Sequence, residues 1–412
     1  MMNRKSFFLK FTTLIVVLLF LGCKKEGCTD SEAENFNKKA DIDDGSCIII
    51  DSNTIAISED ITIPTILKAA TYRICSDINI RSELTLMPGT ILLMCEGSSI
   101  SVTSDGMLTA MGTADSTISI KGELNSKGYW VGLGFKSNSI NNQLKHVTIS
   151  DGGSYDVWEN ATVFVDDEAE VAMEFITISN SSNFGLYLEN DALLNAFKSN
   201  TFGSCSTGIS LSANQVYFLD SNSIYNNSNI NNFIDVRSDT IQNLQLWEHT
   251  NSPLLIHGLT VQGGLVLLPK ANLIMNSAAQ LSVIDGGYLS AIGTSESPIS
   301  IKGRSNSAGY WQGLRIESVA SENEIAHTII SDAGSSIENK YSNLFLSGRL
   351  DISNATIKNA NSYGIYVKSG ASLYSNNNLI LTASQIENSV SFIENGSGLN
   401  ANCSNNCTAF FE

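Results

Sequence analysis

"GYWVGLGF" occupies residues 128–135, and "GYWQGLRI" occupies 309–316, 181 positions further on. That spacing is not confined to these eight residues. "LTLMPGT" at 84 aligns with "LVLLPKA" at 265, and "GMLTAMGTADSTISIKG" at 106 aligns with "GYLSAIGTSESPISIKG" at 287. "LKHVTISDGG" at 144 aligns with "IAHTIISDAG" at 325, again at the same offset. After a two-residue deletion, "ITISNSSNFGLYLENDALL" at 176 aligns with "ATIKNANSYGIYVKSGASL" at 355. A copy this long and this free of gaps is copied scaffold before it is a copied site.

A finer pattern runs inside each copy. Short apolar–polar alternations such as "SISV", "ISI", "VTIS" and "GIYV" are separated by Gly, Asn, Asp and Ser clusters. Period-two patterning over four to six residues predicts short strands with one buried face. Two-residue hairpin turns are scarce, so the strands are expected to pair in parallel between successive coils of a β-solenoid. Asn residues suit the corners of such coils, because they tolerate left-handed backbone and hydrogen-bond locally. With coils of roughly 20–25 residues, Cys75 and Cys95 fall on adjacent coils at disulfide distance.

These residues resemble the right-handed parallel β-helix proteins of the pectate-lyase-like superfamily, in particular surface lipoproteins of Bacteroidetes type. The resemblance rests on the pattern "LTIEPGT…G.L.A.GT….PI.F…GYW.GI.F…L.HV.IS.AG", met at 84–153 and again at 265–334. It spans about residues 55–400 and implies an all-β fold: a right-handed parallel β-helix of two tandem homologous halves, about 84–200 and 265–380. The solenoid is expected over 51–402, with a C-terminal cap at 403–412 containing the pair Cys403 and Cys407. The fold hosts lyases, hydrolases, adhesins and stalks alike, so activity does not follow from it.

The N-terminus reads as an export signal. Arg4, Lys5 and Lys10 precede the brief apolar run "TTLIVVLLFLG", and "FLGC" resembles a lipobox that makes Cys23 the lipid attachment site. Residues 1–22 are then a lipoprotein signal peptide. Residues 23–50 form an acidic spacer clasped by Cys28 and Cys47, similar to a short Cys-bounded element of exported Bacteroidetes-type proteins. The expected location is exported and lipid-anchored, on the periplasmic or cell-surface face of the outer membrane. Paired cysteines agree with an oxidising compartment, leaving Cys205 as a buried free thiol. Net charge is −17, and phosphate recognition needs a basic surface, so nucleic acid is excluded as a partner.

Candidate sites divide by whether both copies carry them. Tyr129, Trp130, Tyr310 and Trp311 could stack on sugar rings, yet duplication favours a corner-packing role. Trp158, with Tyr155 beside it, has no Trp counterpart in "SSIENKYSN" and is the better candidate for sugar contact. His146 and His327, near Asp151 and Asp332, are equivalent and fit structural roles better than general-base roles. Asp41, Asp43 and Asp44, and separately Asp166 and Asp167, are candidate calcium ligands, although Asp41–Gly45 misses the calcium-loop register. The Arg-rich groove of a uronate lyase is missing, with seven Arg in the chain. The reading is an anchored surface module that binds glycan, adheres or projects, without catalysis. The alternative is a polysaccharide lyase or glycoside hydrolase.

Overall fold

The computed structural model describes residues 24–154, 157–368 and 370–376, with short strands at 380–381, 391–395 and 402–404. Residues 1–22, expected to be a signal peptide, and Cys23, Tyr155 and Cys407 lie outside the described residues, as do the side chains beyond 374, including that of Cys403. The chain divides at Thr54 into two compact units. None of the described helices is long and apolar enough to cross a membrane.

The first unit is a loop closed by the Cys28–Cys47 disulfide. Its acidic side chains are spent on nearby backbone amides. Asp43 accepts from Gly45 N at 3.0 Å, Asp44 from Ser46 N at 3.0 Å and Asp41 from Lys25 N at 3.2 Å. Hydrogen bonds from the side chain and amide of Ser46 hold Asp44 below the ordinary carboxylate range.

The second unit is a right-handed parallel β-helix. All of its described strand pairs are parallel, and partners lie one turn of the chain apart, from 17 residues (Ile55 with Tyr72) to 34 (Thr109 with Gln143). Inward side chains therefore stack in columns. Ile234, Leu254, Leu273, Ile301, Ile330 and Ile357 form one such column, each nearly or wholly buried. Full burial of an aliphatic side chain contributes about 1.5–3 kcal/mol, so each column is a major stabilising element. Cys75 and Cys95 follow the paired residues Ile74 and Met94, and a disulfide joins them.

Among the described residues, one sheet of 13 strands runs from 78–80 to 380–381. Sheets of eight and six strands flank it in the first half, and two sheets of seven flank it in the second. The two copies are not in the same phase. "ISIKG" at 118–122 belongs to the eight-stranded sheet, whereas its copy at 299–303 belongs to the 13-stranded sheet. Along that long sheet, seven steps lead from 132–135 to 299–303, and 118–122 sits one strand earlier. The repeat is thus seven turns plus one strand position of three. Equivalent residues face different sides of the solenoid and lie about 35 Å apart along it, given the strand spacing of a sheet.

Buried asparagines tie the turns together. Asn142 accepts from Leu108 N at 3.0 Å in the turn before and donates to Glu170 O at 3.0 Å in the turn after. Its copy Asn323 accepts from Leu289 N at 3.0 Å, and Asn200 bridges Ile176 N and Met173 O. They bridge backbone to backbone rather than stacking on one another. Asn142→Ala is expected to cost about 2–3 kcal/mol by leaving buried partners unsatisfied. Urea unfolding checks this, and a midpoint equal to wild type would contradict the bridging role.

Candidate functional site

The repeated aromatic pair resolves into scaffold. Trp130 and Trp311 are wholly buried, and each indole Nε1 donates to the backbone of the next turn, at Ser150 O and Ser331 O, both 2.7 Å. They have no surface to offer a ligand, which corrects their candidacy. Gly132 and Gly313 follow in left-handed conformation (φ 146° and 116°), and a Cβ there would strike Ala161 O and Ser342 O. Tyr129 and Tyr310 are half-buried beside them. Burial raises the Tyr129 phenol, with Glu123 and Glu96 adding to the effect.

His146 and His327 each turn the chain between two strands in left-handed conformation, φ 48° and 46°. Asp151 accepts from Ser150 Oγ and Asn180, and Asp332 accepts from Ser331 Oγ and Asn359. These are copied corner braces. Asp166 receives the amide of Asp167, and Asp167 receives the amide of Asp191. Among the described residues, no three His, Cys, Asp or Glu side chains gather to hold a metal. The calcium candidates therefore do not form a ligand set.

Trp158 lies flat over Gly134, where a Cβ would come within 2.7 Å of the indole. It stacks on Phe164 (6.1 Å between centroids), which stacks on Tyr187 (5.9 Å), with Arg237 over Tyr187 at 4.3 Å. In the second copy Arg315 stands where Gly134 does, over Phe345 at 4.6 Å, and Phe345 stacks on Tyr366. The outer ladder is thus duplicated, and Trp158 takes the place of Arg315 on it. Trp158 is half-buried packing with one outer face remaining.

What the copies do not share lies where they join. The six-stranded sheet ends at 193–198 and the eight-stranded sheet at 224–227, while new sheets start at 239–241 and 245–247. Between them a 3-10 segment, Ala213–Phe218, replaces a strand. Gln215 receives Ser212 N and donates to Ala192 O one turn before, and Asn214 donates to Asp239 and Thr240 O one turn after. The mismatch opens a groove of about 750 Å³. Tyr217 packs at 4.2 Å on Phe218 and is 50% exposed; Leu244 and Leu246 are 57% and 50% exposed across from it. Asn243, Gln245, Asp220 and Glu248 supply polar edges, and no cation lines the groove. Asp220 is committed to Ser199 N and to the amide and hydroxyl of Ser223.

Close by, Asp235 accepts from Ser210 Oγ (2.8 Å) and faces His257 Nε2 at 2.7 Å, while Asn276 meets His257 Nδ1 at 3.0 Å. Both ring nitrogens are engaged, so His257 has no free position for a substrate proton. Sequence reasoning underrated both the groove and this cluster. Their signal was the stretch between the copies that aligns with nothing.

A family model described as "Periplasmic copper-binding protein (NosD)" matches residues 96–264, less than half of the chain. Comparison with curated proteins and with solved structures gives no match. The described residues do not fit a copper site. Within the matched stretch Cys205 is buried with its thiol raised by burial, Met173 is in the core, His146 stacks on Phe175, and His257 is spent as above.

Gly134→Ala is expected to lift Trp158 off Phe164, changing near-UV dichroism at a cost of about 1–3 kcal/mol. An unchanged aromatic dichroism signal would contradict the stacking.

Proposed function

We propose that this chain is an exported, lipid-anchored β-helix protein that binds an uncharged saccharide in the junction groove and does no chemistry on it. One observation carries the reading: the groove is made by the seam between copies and pairs a half-exposed aromatic ring with amides and carboxylates. An aromatic face takes the apolar face of a sugar while polar edges take its hydroxyls. The volume suits a ligand of one or a few sugar units, since pockets for small ligands run roughly 300–1,000 Å³. With Asp220 and Glu248 and no cation lining it, the groove repels uronates and sulfates. Binding rather than cleavage is supported by Asp220, whose oxygens are taken by Ser199 N and by the amide and hydroxyl of Ser223, so that it does not pair with Glu248 as acid and base. Export is supported by the N-terminal segment and by similarity to a family described as periplasmic.

Glycan-array binding is the test, with Tyr217→Ala as the decisive variant. Wild type is expected to retain neutral oligosaccharides, and the variant to lose at least about tenfold, the scale of a lost stacking contact, with unchanged thermal unfolding. Equal binding by both proteins, or release of reducing ends from any retained glycan, would overturn the reading.

A further inference from the structure

The junction groove has a structural counterpart at the start of the solenoid. Strand Thr65–Leu67 pairs with Glu83–Leu86, and Gln245–Trp247 pairs with Gly264–Leu267, the copy of that strand. In register, Pro64, Ile66, Lys68 and Met87 therefore stand where Leu244, Leu246, Glu248 and Leu268 line the groove. In the second copy the segment carrying Tyr217 and Phe218 faces these side chains from the preceding turn. Ile55 opens the solenoid, so no preceding turn supplies such a segment to the first copy. Ile63 and Ile66 are 69% and 64% exposed, and Met87, one rung further on, is 43% exposed.

The two faces also differ in charge. Lys68 replaces Glu248 beside Met87, and among the described residues no carboxylate is ion-paired with it. Glu83 borders Pro64 at the opposite end of the strip. An uncovered apolar strip edged by a flexible ammonium group suits the boundary between lipid headgroups and acyl chains. The apolar side chains enter that boundary, while the lysine stem carries its charge out to the phosphates. Chain connectivity leads to the same surface. This turn is the first of the solenoid after Cys23, and the Cys28–Cys47 disulfide holds the ends of the intervening loop 4.7 Å apart between Cα atoms.

We infer that Ile63, Ile66 and Met87 seat on the lipid surface that the acyl chains of Cys23 enter, with Lys68 on the headgroup phosphates. Resting on the lipid anchor proposed above, this assignment fixes which face of the solenoid meets the membrane.

Fluorescence of the full lipidated chain tests this in vesicles of phosphatidylethanolamine and phosphatidylglycerol, with and without brominated acyl chains. Trp130, Trp247 and Trp311 are wholly buried, so a reporter at an exposed position is read above a shielded background. The added emission of Ile66→Trp, and separately of Ile63→Trp, is expected to fall at least about twofold in brominated vesicles, as for a ring seated at the acyl boundary. Ile292→Trp, at an exposed position of the second copy, is expected to keep its emission. Flotation with the vesicles distinguishes the two ways of failing. Protein that does not float would overturn the anchor and this assignment together. Floating protein in which neither Ile66→Trp nor Ile63→Trp is quenched would leave the anchor standing and overturn the assignment alone. Equal quenching of Ile292→Trp would overturn it as well. Unquenched reporters with a dimer in detergent that Ile66→Ser dissociates would give the face to a second copy instead.

Discussion

Parallel pairing between successive turns is the constraint on which the rest of the structure depends. In such a ladder each residue's nearest neighbours are the residues one turn before and one turn after. Like must therefore stack on like, as in the column from Ile234 to Ile357. A polar side chain enters the interior by taking up backbone groups of neighbouring turns, as Asn142 does in the turns before and after and Asn200 and Asn323 do in the turn before. The same rule explains why the GYW corner was copied intact. Its indole spans to the next turn, and its glycine makes room for that turn's carbonyl.

The rule also makes the seam between copies unusual. Two sheets end and two begin near residues 193–247, where the 3-10 segment interrupts the strand succession, and among the described residues only the 13-stranded sheet crosses. Side chains of Asn214 and Gln215 carry the hydrogen bonds that a strand would otherwise supply. The cost of that mismatch is apolar surface left uncovered at Tyr217, Leu244 and Leu246. A packing defect in the scaffold thus coincides with the recess that Tyr217, Leu244 and Leu246 line.

Much of the fold was legible because period-two runs and a constant offset of 181 residues directly encode stacked short strands. The Cys75–Cys95 bond followed from turn length, and the buried role of Trp130 and Trp311 from their duplication. The phase difference was not legible, since an offset in residues does not reveal how many strand positions it contains. Trp158 was recognised as lacking a counterpart, yet its partner Phe164 and the gap at Gly134 emerge only from register. Tyr217 lies in a stretch without a copy, where pattern matching had nothing to compare.

The one-strand phase lag has a geometric corollary for how such a rod could grow. Each added unit of this kind would present its outward decorations rotated by a third of a revolution from the last. Two units, as here, display related surfaces toward different directions, so a flat partner cannot engage both at once. A third would complete the circuit of directions, and only a fourth would look the same way as the first.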